Sequence, residues 1–112
     1  MGRTTSLLLL VLAAALEAGG DALIRQGLYA KLTFVRVFLF SVGGLVLFAY
    51  GLVVNTPPWN FGRLLGLYVV FFFVFAQILS WLMSKETPSI SILLGGSLIV
   101  GGGIVIALGG SR

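Results

Sequence analysis

Leu7-Leu8-Leu9-Leu10-Val11-Leu12-Ala13-Ala14-Ala15-Leu16, followed by Glu17-Ala18-Gly19-Gly20-Asp21, is the stretch on which the fold turns. Ten apolar residues in a row belong to a run from about Thr5 to Leu28. At 1.5 Å per helical residue, such a run spans a bilayer core of about 30 Å. Working outward, three more runs of that length follow. The second covers about Thr33 to Val54 and stops at Asn55-Thr56-Pro57-Pro58, where two prolines forbid further helix. The third covers about Gly62 to Ser84, with Phe71-Phe72-Phe73 in its middle and Trp81 near its end, where an indole suits the membrane interface. Lys85-Glu86-Thr87-Pro88 closes it, and the fourth runs from about Ser89 to Gly109. The expected fold is an all-α integral membrane protein, residues 1–112 forming one domain of four transmembrane helices.

Composition agrees. Of 112 residues, 59% are hydrophobic and 9% charged, against about 25% charged in soluble domains. A β-barrel fails as an alternative, because its strands alternate apolar and polar residues over about ten positions. Arg3, the stretch Leu7 to Ala15 and Ala15-Leu16-Glu17-Ala18 have the layout of a cleavable signal peptide, but we read the segment as a retained span. Three acids, seven bases, no His and no Cys leave few ligands or nucleophiles. No metal or cofactor is expected, and no enzyme, since the spans hold too few polar groups for a nucleophile, a base and an orienting group. The net charge of +4 comes from single bases scattered between apolar runs, which suits membrane anchoring and not a nucleic-acid partner.

Four spans put both termini on one side. Arg3, Arg63 and Arg112 fall on that side or in the second loop, and Arg25, Lys31, Arg36 and Lys85 fall towards the other. A difference of one base gives almost no orientation bias. Two readings stay open: one orientation fixed by a partner or by Arg25 inside the span, or insertion in both orientations, which permits antiparallel dimers.

Glu17 falls near the middle of the first span, within about 4 Å of the bilayer centre. A charged group there costs about 2.5 to 3.5 kcal/mol even on lenient insertion scales, so it faces protein or a water cavity and has a role. A carboxylate so placed holds a proton or a cation, but not both. That competition is the minimal chemistry of a proton-coupled cation exporter. Asp21 and Arg25 follow at intervals of four on the same helical face. An Asp21–Arg25 ion pair is the simpler expectation for Asp21, and a place beside the Glu17 site the alternative. Glu17 has no base at i+3 or i+4, so its partner lies on another helix, another subunit, water or substrate. Tyr50, Tyr68 and Gln77 are candidates beside it, because their polar groups need hydrogen-bond partners in hydrocarbon. Phe38, Phe40, Phe48, Phe71, Phe72, Phe73 and Phe75 suit lipid-facing or packing roles.

Leu16-Glu17-Ala18-Gly19-Gly20, Tyr68-Val69-Val70-Phe71, four spans and about 110 residues together resemble the small multidrug resistance family of the drug/metabolite transporter superfamily. Leu47-Phe48-Ala49, Gly62-Arg63 and Tyr68 are most similar to its YnfA-like branch. The resemblance runs from about Thr4 to Ala107. It implies a two-fold or antiparallel homodimer in a bacterial plasma (inner) membrane, with Glu17 of each subunit in one central site used alternately by protons and by lipophilic or guanidinium-type cations. Tyr68 falls where the family places a Tyr beside that carboxylate, and Phe71 where many members carry a Trp that stacks on substrate. Phe offers a weaker π face to a cation. Members also flex the third helix at a Gly-rich stretch, where this chain has Phe71-Phe72-Phe73.

The fourth span carries Gly95, Gly96, Gly101, Gly102 and Gly103, and the pairs Gly95/Gly102 and Gly96/Gly103 repeat at seven residues. Ser91 to Gly95 and Ser97 to Gly101 fit small-xxx-small spacing, which lets membrane helices approach closely. Two partners are open for this face: a second subunit, which we expect, and the second helix at Gly43 and Gly44. The expected function is a small dimeric transporter exchanging protons for cationic or amphipathic solutes. Its rivals are a translocator of a lipid-linked head group, in which Asp21 and Arg25 carry more weight, and a non-transporting subunit of a larger membrane complex.

Overall fold

The computed structural model describes residues 2–109, so Arg112, counted above for topology, lies outside the described residues. They form four helices: α1 (Arg3–Tyr29), α2 (Thr33–Val54), α3 (Phe61–Ser84) and α4 (Ile90–Leu108). All four are long and apolar enough to cross a membrane. The protein is a four-helix membrane bundle, and its span limits match those expected from the sequence to within two residues.

The helix ends follow from local chemistry. Asn60 opens α3 by accepting the backbone N–H of Arg63 on its side chain at 2.9 Å, and Ser89 opens α4 by accepting from Ile92 at 3.2 Å. Each satisfies a donor that the first helical turn leaves free. At the end of α2, Asn55 Nδ2 and Thr56 Oγ1 donate to the Gly51 and Leu52 carbonyls, both at 2.8 Å, covering acceptors that hydrocarbon could not satisfy. Lys85, at φ 57°, turns the chain out of α3 in the left-handed conformation while its N–H bonds to the Trp81 carbonyl.

Close packing runs α2–α1–α3–α4. At the α1–α2 seam Gly20 faces Gly43: a methyl group on either would come within 3.2 Å of the other's carbonyl oxygen. Gly27 likewise lies under the Phe40 ring. At the α3–α4 seam large residues lie on small ones, with Phe73 over Gly96, Val70 over Gly103 and Ile106 over Gly66. This contact revises the expected partner of the glycine face. Gly96 and Gly103 are buried against α3 of the same chain, not against α2, because Gly43 is already occupied by α1 and Gly44 faces open space. Gly95, Gly101 and Gly102 have open space beside them, and Ser97 is exposed with its hydroxyl bonded back to the Leu93 carbonyl. Among the described residues the outer face of α4 has no neighbour: Leu98 is 78% and Leu108 82% exposed.

Burial is concentrated at one end. Leu10, Ala13 and Ala14 of α1, Val54 of α2, and Leu64, Leu67 and Tyr68 of α3 form a single packed cluster. All lie in the half that holds the second loop. There Arg63 donates to the Ile106 carbonyl at 3.2 Å and lies over the Trp59 ring, 5.6 Å from its centroid. A residue counted above as a loop charge thus ties the start of α3 to the last turn of α4.

Candidate functional site

Glu17 sits midway along α1, where small neighbours bring α3 close: Ala13, Ala14 and Ala18 are all buried. Across the seam, Tyr68 is 4% exposed and donates its phenol proton to Glu17 Oε1 at 2.6 Å. The Ala13 carbonyl lies 3.4 Å from the same hydroxyl. A phenol has one proton, so the short bond to the carboxylate is the principal one. The Tyr50 ring from α2 tilts against Tyr68 at 5.6 Å between centroids, and the Phe72 ring stacks near it at 6.2 Å. Of the residues expected around Glu17, the structure brings together Glu17, Tyr68 and Tyr50.

Below this pair, towards the first and third loops, α1 and α3 part around a cleft of about 840 Å³. Its α1 wall runs from Ala18 through Asp21, Ala22, Arg25 and Gln26 to Tyr29, and its α3 wall from Phe72 through Ala76, Leu79 and Ser80 to Ser84. Eleven helical steps from Ala18 to Tyr29 make it about 16 Å long. Its inner end is thus one residue from Glu17 and one helical turn from Tyr68. Above the pair the seam is filled by Leu10, Ala13, Leu64 and Leu67. The carboxylate stands where a cleft of mixed polar and apolar lining meets a closed apolar core.

Three expectations are corrected here. Asp21 and Arg25 do not pair: among the described residues no ion pair within 4.0 Å forms, and the Arg25 guanidinium instead lies over the Tyr29 ring at 5.7 Å. Helical stacking of Arg25 on Tyr29, also four residues on, turns it away from Asp21. Phe71 is not at the cleft. It packs against the closed core, and Phe72 is the aromatic that meets the cleft. Gln77 is not near Glu17 either. It lines a separate, largely apolar groove of about 600 Å³ between α3 and α4, shared with Phe73, Gly96 and Ser97. Nine residues separate it from Tyr68, which places it about 180° around the helix. Ser80 and Ser84, not singled out in the sequence, line the cleft because they follow Ala76 on the face that carries Tyr68 and Phe72.

Among the described residues no group of three His, Cys, Asp or Glu side chains could hold a metal ion. Compared with known proteins, the chain matches no family model, no curated protein and no solved structure. The case for function therefore rests on the site's own geometry.

Proposed function

We propose that this protein is a small proton-coupled transporter of cationic or amphipathic solutes, acting as a homodimer with Glu17 as the exchange site, in a bacterial plasma membrane. One observation carries the reading: a mid-span carboxylate, bonded through one oxygen to a buried tyrosine, stands next to the inner end of a cleft that carries Asp21 and Arg25 and runs towards the first and third loops. A carboxylate in that position either takes a proton and becomes neutral or holds a cation. Binding of one displaces the other, which couples two fluxes through a single group. Tyr68 holds the carboxylate in one orientation and leaves Oε2 for the exchanged species.

A single subunit, closed above Glu17, offers access from one side. An antiparallel partner would present the same cleft to the opposite side, and the near balance of Lys and Arg between the two sides supports insertion in both directions. The open face beside Gly95, Gly101 and Gly102 on α4 is the surface we assign to that partner. The test is Glu17→Gln in liposomes. Uptake of a lipophilic cation or guanidinium driven by a proton gradient is expected to fall to the level of empty liposomes, and uptake that persists would sink the reading. A translocator of amphipathic head groups is the second reading, favoured by Asp21 and Arg25 lining the cleft without pairing.

A further inference from the structure

The cleft below Glu17 carries charges of both signs. Asp21 lies at its inner end, Arg25 one turn further out, and Glu86 at its rim. No ion pair within 4.0 Å joins any of them among the described residues. The Arg25 guanidinium lies over the Tyr29 ring, 5.7 Å from its centroid, and among the described residues its N–H groups donate no hydrogen bond, which leaves them available to an anion. A route to a cation site should not need a guanidinium, because a fixed positive charge repels a simple cation on its way in. The arrangement fits a ligand that supplies an anion of its own.

We infer that the α1–α3 cleft binds zwitterionic amphipaths, with the ligand's ammonium on Asp21, its acidic oxygens on Arg25 and its apolar chain along Phe72 and Leu79. Asp21 and Arg25 are four residues apart on one helical face, so their attachment points differ by about 6 Å along the axis. A three-carbon link between ammonium and acid spans that distance. Phosphate, carboxylate and sulfonate share the geometry that a guanidinium recognises with two parallel N–H donors. Ser80 and Ser84 on the facing wall supply hydroxyls for the remaining acidic oxygen. The inference rests on the cleft being the substrate's route to Glu17, and it narrows the solute from any cation to one that also bears an acid.

The test is calorimetric titration of the full chain in nanodiscs, with empty nanodiscs subtracted, using three chain-matched probes: an octyl dimethylammonio-propanesulfonate, octyltrimethylammonium and octanesulfonate. The zwitterion is expected to bind about tenfold more tightly than either singly charged probe. Arg25→Ala is expected to erase that preference while leaving the cation's affinity unchanged or improved, and Arg25→Lys to restore part of it. Asp21→Asn is expected to weaken the zwitterion and the cation alike. Equal affinity for the zwitterion and the cation in the unaltered protein, or a preference that survives Arg25→Ala, would overturn the inference. Failure of the transport reading is seen separately: the probe preference is a binding measurement, whereas proton-driven uptake and its loss in Glu17→Gln report on Glu17 alone.

Discussion

The two ends of the α1–α3 seam are built from opposite materials. On the second-loop side of Glu17 the helices meet through Leu10, Ala13, Ala14, Leu64 and Leu67, all buried. On the other side the same two helices present Asp21, Arg25, Ser80 and Ser84 to a cleft. A single pair of helices is thus zipped at one end and parted at the other, and the boundary falls at the Glu17–Tyr68 hydrogen bond. Under the proposed function, a directional path needs no separate gate: the change from packed apolar residues to charged and hydroxyl side chains along two helices is enough, with one costly residue at its end.

The largest expected effect probes the zipped end. Leu67→Ala removes a buried side chain from a cluster that cannot easily collapse, at a cost of about 3 kcal/mol, whereas Ser84→Ala in the cleft is expected to change stability by less than about 0.5 kcal/mol. Reversible unfolding in mixed micelles measures both, and equal costs would erase the contrast between the ends. Next comes the seam that keeps α1 in place where the cleft opens. Gly43→Val drives a side chain against the Gly20 backbone and is expected to cost about 2 kcal/mol. Gly44→Val, in open space, is expected to cost nothing measurable by the same assay. Smallest is the boundary itself: Tyr68→Phe removes one interhelical hydrogen bond, about 1 kcal/mol in a membrane protein. It leaves the fold intact and is expected to lower proton-driven uptake severalfold, because the hydroxyl that touches Glu17 is gone. Uptake at the unaltered rate would detach Tyr68 from the exchange site.

Much of this was legible in the sequence, for physical reasons that differ by residue. The four spans are readable because bilayer thickness sets helix length, and Pro57-Pro58 and Pro88 mark the breaks. Glu17 is readable because its cost in hydrocarbon is independent of its neighbours. The glycine face of α4 is readable as a surface but not as a contact: Gly96 and Gly103 differ from Gly95 and Gly102 by one position, about 100° around the helix, and only tertiary packing decides which pair α3 covers. Gln77 was readable and missed, since its nine-residue offset from Tyr68 already puts it on the opposite face. The Asp21–Arg25 pair failed for a different reason. Arg25 had two partners at the same spacing, and Tyr29 took it.

The chain contains no Cys, so single cysteines can be placed without a background to remove. The most direct test of one-sided access to Glu17 is labelling of Ala22→Cys and Ala76→Cys in the cleft, and Ala14→Cys and Leu67→Cys in the closed half, by a water-soluble thiol reagent in sealed vesicles. The cleft positions, at membrane depth, are expected to label from the side that holds the first and third loops, while the closed positions stay unreactive from either side. Equal labelling of both sets, or labelling of the closed set alone, would contradict a path that reaches Glu17 from one end.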